Sequence, residues 1–315
     1  MSLELVELKD AKAGSSAKVL AGFGFNCYSF RARPAGEEIE VLWSAPDFES
    51  GTQKASHSGI PLLFPFPGRL RGGEMHFGGK TFPLAAADGR GNAIHGFVLN
   101  RPWRVVEKTG TRVVGEFQAS RDDRTILDHW PADFRITVSY ELVGNELRSE
   151  ITIHNPDSKP LPFGLGTHPY FRVPLGSKGQ ADDCRVSVPV GEYWELTDML
   201  PSGELLPTEG RYDLAHGLRF GDTKFDDVFG KLSADGNQLR ATVDDPASGR
   251  KLTVMFDKAF RECVVYNPPH REAICIEPYT CVPDAYTLAA AGKDTGLRVL
   301  EPGKSFQIAW AIRLD

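Results

Sequence analysis

Cysteine is scarce in this chain and poorly placed for a structural role. The five cysteines stand at positions 27, 184, 263, 275 and 281. The count is odd, and the spacing fits neither a disulfide framework nor a zinc site. Reduced thiols in a cytoplasm are the simplest reading. Positive charge is not in excess either. The formal net charge is -6, which argues against nucleic acid as the main partner. No apolar run is long enough to span a bilayer, so no membrane association is expected. The opening residues Met1 to Glu7 have neither the basic nor the apolar region of a signal peptide. Helical periodicity is nearly missing, and only Leu288 to Gly292 reads as a short helix. No repeat, low-complexity segment or shift in composition marks a boundary, so a single domain over 1–315 is expected.

What remains is alternation with a period of two. Phe134, Ile136, Val138, Tyr140 and Leu142 alternate with polar residues. Gly144-Asn145 breaks the run, and Leu147, Ser149, Ile151 and Ile153 resume it, which predicts a β-hairpin. Gln238 to Val243 and Lys251 to Phe256 flank Asp244–Gly249 as a second hairpin. Further strands are expected at 25–33, 38–44, 112–119, 185–190, 262–267, 273–277 and 306–314. The last of these alternates well and is expected to close the sheet. With 32 glycines and 22 prolines spread along the chain, turns are frequent. Many short strands with turns at close intervals point to an all-β sandwich or barrel. At 315 residues the chain is long enough to bury about three quarters of its unfolded surface without staples.

Five stretches put chemically able residues into apolar surroundings. In Leu161–Arg172 a histidine, His168, is followed by Pro169, Tyr170 and Phe171. Proline biases His168 toward extended backbone, imidazole exchanges protons near neutral pH, and an aromatic ring can lie against a sugar face. Gly59–Leu70 is rich in proline and apolar residues and carries Arg69, whose planar fork suits hydroxyls or a carboxylate. Gly91–Phe97 carries His95 before Gly96, where the backbone can turn sharply or approach a ligand. Phe225–Phe229 holds Asp226 and Asp227 between aromatic residues, as turn residues or as hydroxyl acceptors. In Ala273–Tyr279, Glu277 ends a buried-looking strand. A carboxyl there needs a partner, and burial raises its pKa toward the range of general acid–base work.

Together these segments resemble the aldose 1-epimerase, or galactose mutarotase-like, family, from about Gly59 to the end. The most specific parts are Thr167-His168-Pro169-Tyr170-Phe171 and Ile276-Glu277-Pro278. The resemblance implies a large β-sandwich with sugar bound in an open cleft on one sheet. It implies that His168 protonates the ring oxygen and Glu277 takes the anomeric hydroxyl proton. It also implies that Arg69, His95 and Asp226 contact the sugar, with Asp227 as the alternative to Asp226. Such chemistry needs one acid and one base of unlike environment, and no metal or other cofactor. The implied partner is a small sugar.

Two departures bear on the substrate. Gly68 stands where galactose-specific members usually have Asn, and Phe97 where they tend to have a second glycine. The His95-Gly96-Phe97…Pro102-Trp103 pattern resembles a bacterial branch that includes hexose-6-phosphate 1-epimerases. Arg69, Arg71, Arg101 and Arg104 are the cations near these motifs, and Leu99 stands where that branch has an arginine. A free aldose is therefore expected, with a hexose 6-phosphate as the alternative. A non-catalytic sugar-binding protein of the same fold has no use for both His168 and Glu277. A glycoside hydrolase or lyase would usually want two carboxylates across the scissile bond.

Overall fold

The Gly144-Asn145 turn behaves as its residues dictate. A computed structural model describes residues 3–315 of the chain. In it, Gly144 takes φ +64°, and Val143 pairs with Glu146 as the strands Arg135–Val143 and Glu146–His154 run back against each other. Positive φ is free for glycine and costly for most other residues. The second expected hairpin also forms, as Gln238–Asp245 with Arg250–Asp257.

Both hairpins belong to one nine-stranded antiparallel sheet. Its order is Arg104–Lys108, Arg112–Gln118, Arg135–Val143, Glu146–His154, Ser305–Leu314, Arg250–Asp257, Gln238–Asp245, Arg185–Ser187 and Leu218–Arg219. The carboxy-terminal strand therefore does not close the sheet. It lies in the middle and joins the two hairpins, with Ser149 facing Trp310 on one side and Phe256 facing it on the other. Ile308, Trp310, Ile312 and Leu314 are buried, while Gln307 and Ala309 are exposed. This sheet has one dry face and one wet face, as antiparallel sheets commonly do.

An eight-stranded sheet packs against the dry face. Its central members are Asp226–Gly230, Glu262–Tyr266, Ala273–Tyr279 and Gly166–Thr167. Leu62–Leu63 continues it beyond Gly166–Thr167, Glu192–Thr197 and Leu200–Pro207 extend it at the other side, and Tyr170–Arg172 also pairs with Ala273–Tyr279. Every residue of Ala273–Tyr279 is buried. Ile274 and Ile276 join Val138, Ile151, Val254 and Ile312 in the core between the sheets. The opposite face carries Cys275, Glu277 and Tyr279, and something other than the core must cover it.

A four-stranded sheet formed by Leu5–Asp10, Ser15–Leu20, Asn26–Ala32 and Ile39–Glu40 adds Val6, Leu8, Val19 and Phe30 to the same core. The expected strand over 38–44 is extended but changes partner. Val41 donates to Phe30, and Trp43 then donates to Tyr170 in the other sheet. The strand expected over 185–190 stops at Ser187, because Pro189 has no N–H and Val188 donates to Leu214 instead. The short helix expected over Leu288–Gly292 lies earlier, at Ala285–Ala290: it begins after Asp284 at φ +57°, and Gly292 at φ +80° lies beyond its end instead of inside it. No helix of the described residues is long and apolar enough to cross a membrane.

Candidate active site

Strand register builds this site. Gly166 pairs with Tyr279, and Tyr170 pairs with Cys275. The ladder is interrupted over 167–169, where Pro169 has no N–H, but it resumes in the same register. His168 therefore stands directly opposite Glu277. On the other side of Ala273–Tyr279, Glu277 faces Val264 and Cys275 faces Tyr266, and these in turn face Val228 and Asp226. The outcome is two parallel rows on one face: His168, Glu277, Val264, Val228 and Tyr170, Cys275, Tyr266, Asp226. His168 Nδ1 lies 3.3 Å from Glu277 Oε1, off the line of a hydrogen bond, so the nitrogen has no bonded partner. Both side chains are buried, with exposures of 9% and 2%.

The Gly59–Leu70 segment runs alongside and fixes the histidine. His168 N donates to Pro61 O at 3.0 Å, and Tyr170 N donates to Gly59 O at 2.9 Å. The Tyr170 hydroxyl donates to Ser56 O, and its ring stacks on His168 with centroids 4.8 Å apart. The His95 loop is locked to the same segment. Arg69 pairs with Ile94, and His95 N donates to Gly68 O at 2.9 Å. His95 itself sits at φ +67°, a strained position for a residue with a side chain. Gly96 follows at φ +73°, and a methyl group there would meet Phe64 O at 2.1 Å. The His95 ring comes to rest 5.7 Å from the His168 ring, and its enclosed Nδ1 has no partner.

These residues line a cleft of about 310 Å³, together with Asp226, Arg69, Tyr266, Tyr279, Lys54 and His57. All five residues singled out in the sequence therefore reach one cavity. Asp226, on the same strand face as Val228, lines it, whereas Asp227 points to the other face and lies near the Tyr212 hydroxyl. Of the four arginines near the motifs, only Arg69 lines the cleft. Arg71 is paired with Asp284, Arg101 with Asp123, and Arg104 with Asp122 and Glu116. Arg69 is oriented by Asp88, whose Oδ2 accepts from its Nε at 3.2 Å. Desolvation opposes the Asp88 charge, but hydrogen bonds from Asn92 and Arg90 hold the carboxyl at about 2.

The low-dielectric floor disfavours charge. Burial pushes His168 well below the ordinary histidine range, with His95 and His57 adding to the effect. Burial likewise takes His95 down to about 3, helped by Arg69 and His57. Glu277 goes the other way: burial and Asp226 raise it well above the carboxylate range, while the Tyr279 hydroxyl and Arg69 oppose them. Asp226 remains accessible from the open cleft, yet the surrounding walls raise its pKa, against the pull of Arg69. Burial thus favours neutral imidazole on His168 and a protonated carboxyl on Glu277.

Sequence reasoning missed Tyr279, Tyr266, Lys54, His57 and Asp88. Tyr279 was within reach, being two residues from Glu277 and so on the same strand face. Lys54 and His57 lie in a stretch with no alternation or motif to single them out.

A family model described as aldose 1-epimerase matches residues 5–313. Protein LacX of Lactococcus lactis subsp. lactis is 24% identical over 248 residues, covering 77% of this chain and 78% of that protein. Protein YihR of Escherichia coli (strain K12) is 24% identical over 260 residues, covering 80% and 77%. A galactose mutarotase-like protein from Clostridium acetobutylicum superposes with a TM-score of 0.85 at 20% identity, covering 100% of this chain and 99% of that one. The shared fold is the galactose mutarotase-like β-sandwich, and the chain belongs to the aldose 1-epimerase family.

Proposed function

We propose that this protein interconverts the α and β anomers of a free aldose. The observation that carries the reading is the buried pair of His168 and Glu277, 3.3 Å apart on the floor of a cleft lined by hydroxyl-binding groups. Ring opening requires a proton delivered to the ring oxygen and another removed from the anomeric hydroxyl. His168 imidazolium delivers the first and Glu277 carboxylate takes the second. The ring C–O bond breaks, leaving an open-chain aldehyde. Rotation about the bond to the aldehyde carbon presents its other face. On closure the ring oxygen returns its proton to His168 and Glu277 returns its proton to the new anomeric oxygen. The proton count of the pair is the same before and after.

Burial favours neutral imidazole and protonated carboxyl, which is the state of the pair when the sugar is open. The ion pair needed to attack the closed ring is one proton transfer away. Arg69, His95 and Asp226 are placed in this reading to bind sugar oxygens. Arg69 also stabilises the Glu277 carboxylate, whose charge burial opposes. Tyr266, partly exposed at the cleft, offers ring surface to the sugar.

A hexose 6-phosphate is the second reading. The observation favouring it is Lys54, a cation at the cleft with no carboxylate within ion-pair distance among the described residues. Against it, Arg71, Arg101 and Arg104 are already neutralised by aspartates and a glutamate. Anomer equilibration of a panel of aldoses and their 6-phosphates, followed by polarimetry or NMR, tests both. Acceleration of a neutral aldose above the spontaneous rate supports the first. A preference of about tenfold or more in kcat/KM for a phosphate, weakening as salt screens it, replaces it with the second. No acceleration of any sugar overturns both.

A further inference from the structure

We propose that His168, Cys275 and Glu277 form an inhibitory site for a thiophilic divalent cation, zinc being the best fit. A ring nitrogen, the thiol sulfur and a carboxylate oxygen of these residues all lie within 4.8 Å of one another. The position follows from register: Cys275 and Glu277 are two apart on one strand, and His168 stands across from Glu277. A nitrogen, a sulfur and an oxygen are the donor set zinc accepts, at about 2.0–2.1 Å for N, 2.3 Å for S and 2.0–2.2 Å for O. A tetrahedron with such bonds has an N-to-O edge of roughly 3.3 Å, and His168 Nδ1 lies 3.3 Å from Glu277 Oε1. With all three atoms within 4.8 Å of one another, the sulfur needs to close by little more than about an ångström at most, within the reach of a side-chain rotation.

One further observation points to an ion. His168 Nδ1 is buried and has no hydrogen-bond partner, the unsatisfied donor or acceptor that a buried polar network rarely leaves. Charge balance is compatible with this: as the ion binds, the Cys275 thiol and the Glu277 carboxyl release their protons to solvent, and a dication with one thiolate and one carboxylate is neutral, which a low-dielectric floor tolerates. His168 and Glu277 open onto the cleft, so water can fill the fourth position. Three protein ligands with one open position is an arrangement zinc commonly adopts. Here the ion occupies both proton-transfer groups and so excludes the sugar chemistry. The consequence for turnover rests on the function proposed above; the binding does not.

The test uses chelator-treated full-length protein, with Co²⁺ as spectroscopic probe and Zn²⁺ in calorimetric titration. Co²⁺ should give a thiolate-to-metal charge-transfer band in the wild type, and Cys275→Ala should abolish it. Cys275→Ala should weaken Zn²⁺ binding about 100-fold or more, because even outer partners of metal ligands are worth 10–100-fold. In metal-free buffer this variant should equilibrate anomers at the wild-type rate and resist Zn²⁺ concentrations that stop the wild type. Cys275→Ser, closer in volume, provides the same comparison should the alanine variant fold poorly. Absence of the band in the wild type, or equal Zn²⁺ affinity in both variants and the wild type, overturns the proposal. A Cys275-dependent band in a protein that accelerates no sugar upholds the metal site and overturns only the proposed activity.

Discussion

The Tyr279 hydroxyl donates to Glu277 Oε2 at 2.8 Å, on the carboxylate edge away from His168. One oxygen is thereby held by a neutral donor, and the other is left for the histidine and the cleft. The donor is itself held in place. A methyl group on Gly166, which pairs with Tyr279, would lie 2.6 Å from the phenol ring. Only glycine lets that ring lie flat across the neighbouring strand.

His168→Asn and Glu277→Gln should each lower kcat by about 100-fold or more, the scale of a general acid or base, with the fold retained. Polarimetric rates corrected for spontaneous mutarotation decide the matter. A variant that equilibrates sugar near the wild-type rate removes its residue from the mechanism.

The pH profile in chelator-treated protein should be a broad plateau through neutrality. Turnover needs one proton on the pair. The second proton binds only at low pH, because burial depresses His168, and the first leaves only at high pH, because burial raises Glu277. These limits belong to the pair rather than to either residue. A single steep limb near pH 6.5, the value for an unperturbed histidine, would show that the pair is not coupled in this way.

Tyr279→Phe removes the hydrogen bond that holds the Glu277 pKa down. The alkaline limb should move upward and kcat fall by about tenfold or more, as for a lost hydrogen bond to a charged group, with KM little changed. A loss that appears in KM alone, with an unmoved pH profile, would assign Tyr279 to sugar binding instead.

Glu262 sits in the row beyond Glu277, opposite Tyr279, and its Oε2 accepts from Trp194 Nε1 at 2.9 Å. Burial outweighs that bond and raises the carboxyl to about 8. The sign follows from linkage. Above the ordinary value of 4.5 the unfolded chain has released this proton and the folded chain keeps it until about 8. Stability should therefore fall as pH rises through that window, by about 1.4 kcal/mol per pH unit at most from this group. Denaturant unfolding at several pH values should show Glu262→Gln with a flatter profile there. An identical slope in the variant would mean that Glu262 ionises normally.

Gly166→Ala should cost about 1–3 kcal/mol, as overpacking does, and should lower activity by displacing Tyr279. A melting temperature equal to that of the wild type would show that the ring yields freely.

Much of this protein is decided locally. Gly144-Asn145 enforces a turn, the flanking residues alternate, and the hairpin from Arg135 to His154 follows whatever lies elsewhere. The motif residues His168, Glu277, Arg69, His95 and Asp226 stand out because their chemistry is costly in apolar sequence. The edges of elements were less legible. Pro201, Gly203 and Pro207 mask the alternation of Leu200–Pro207, and the Val41–Trp43 segment is extended in sequence but divides its hydrogen bonds between two sheets.

Tertiary structure decided what depends on facing and on partners. Period-two geometry places Asp226 and Asp227 on opposite faces, but only the register with Tyr266 and Val265 shows that Asp226 faces the cleft. Four arginines look equivalent along the chain, and all four meet carboxylates, Arg69 that of Asp88 and the others those of Asp284, Asp123 and Asp122. What sets Arg69 apart is position, since its carboxylate holds it where it lines the cavity. The opposition of His168 to Glu277 joins residues more than a hundred positions apart. Sequence determines that such groups exist, because residue chemistry is a local property. Distance and burial, which set their protonation, come into being only when the strands pair.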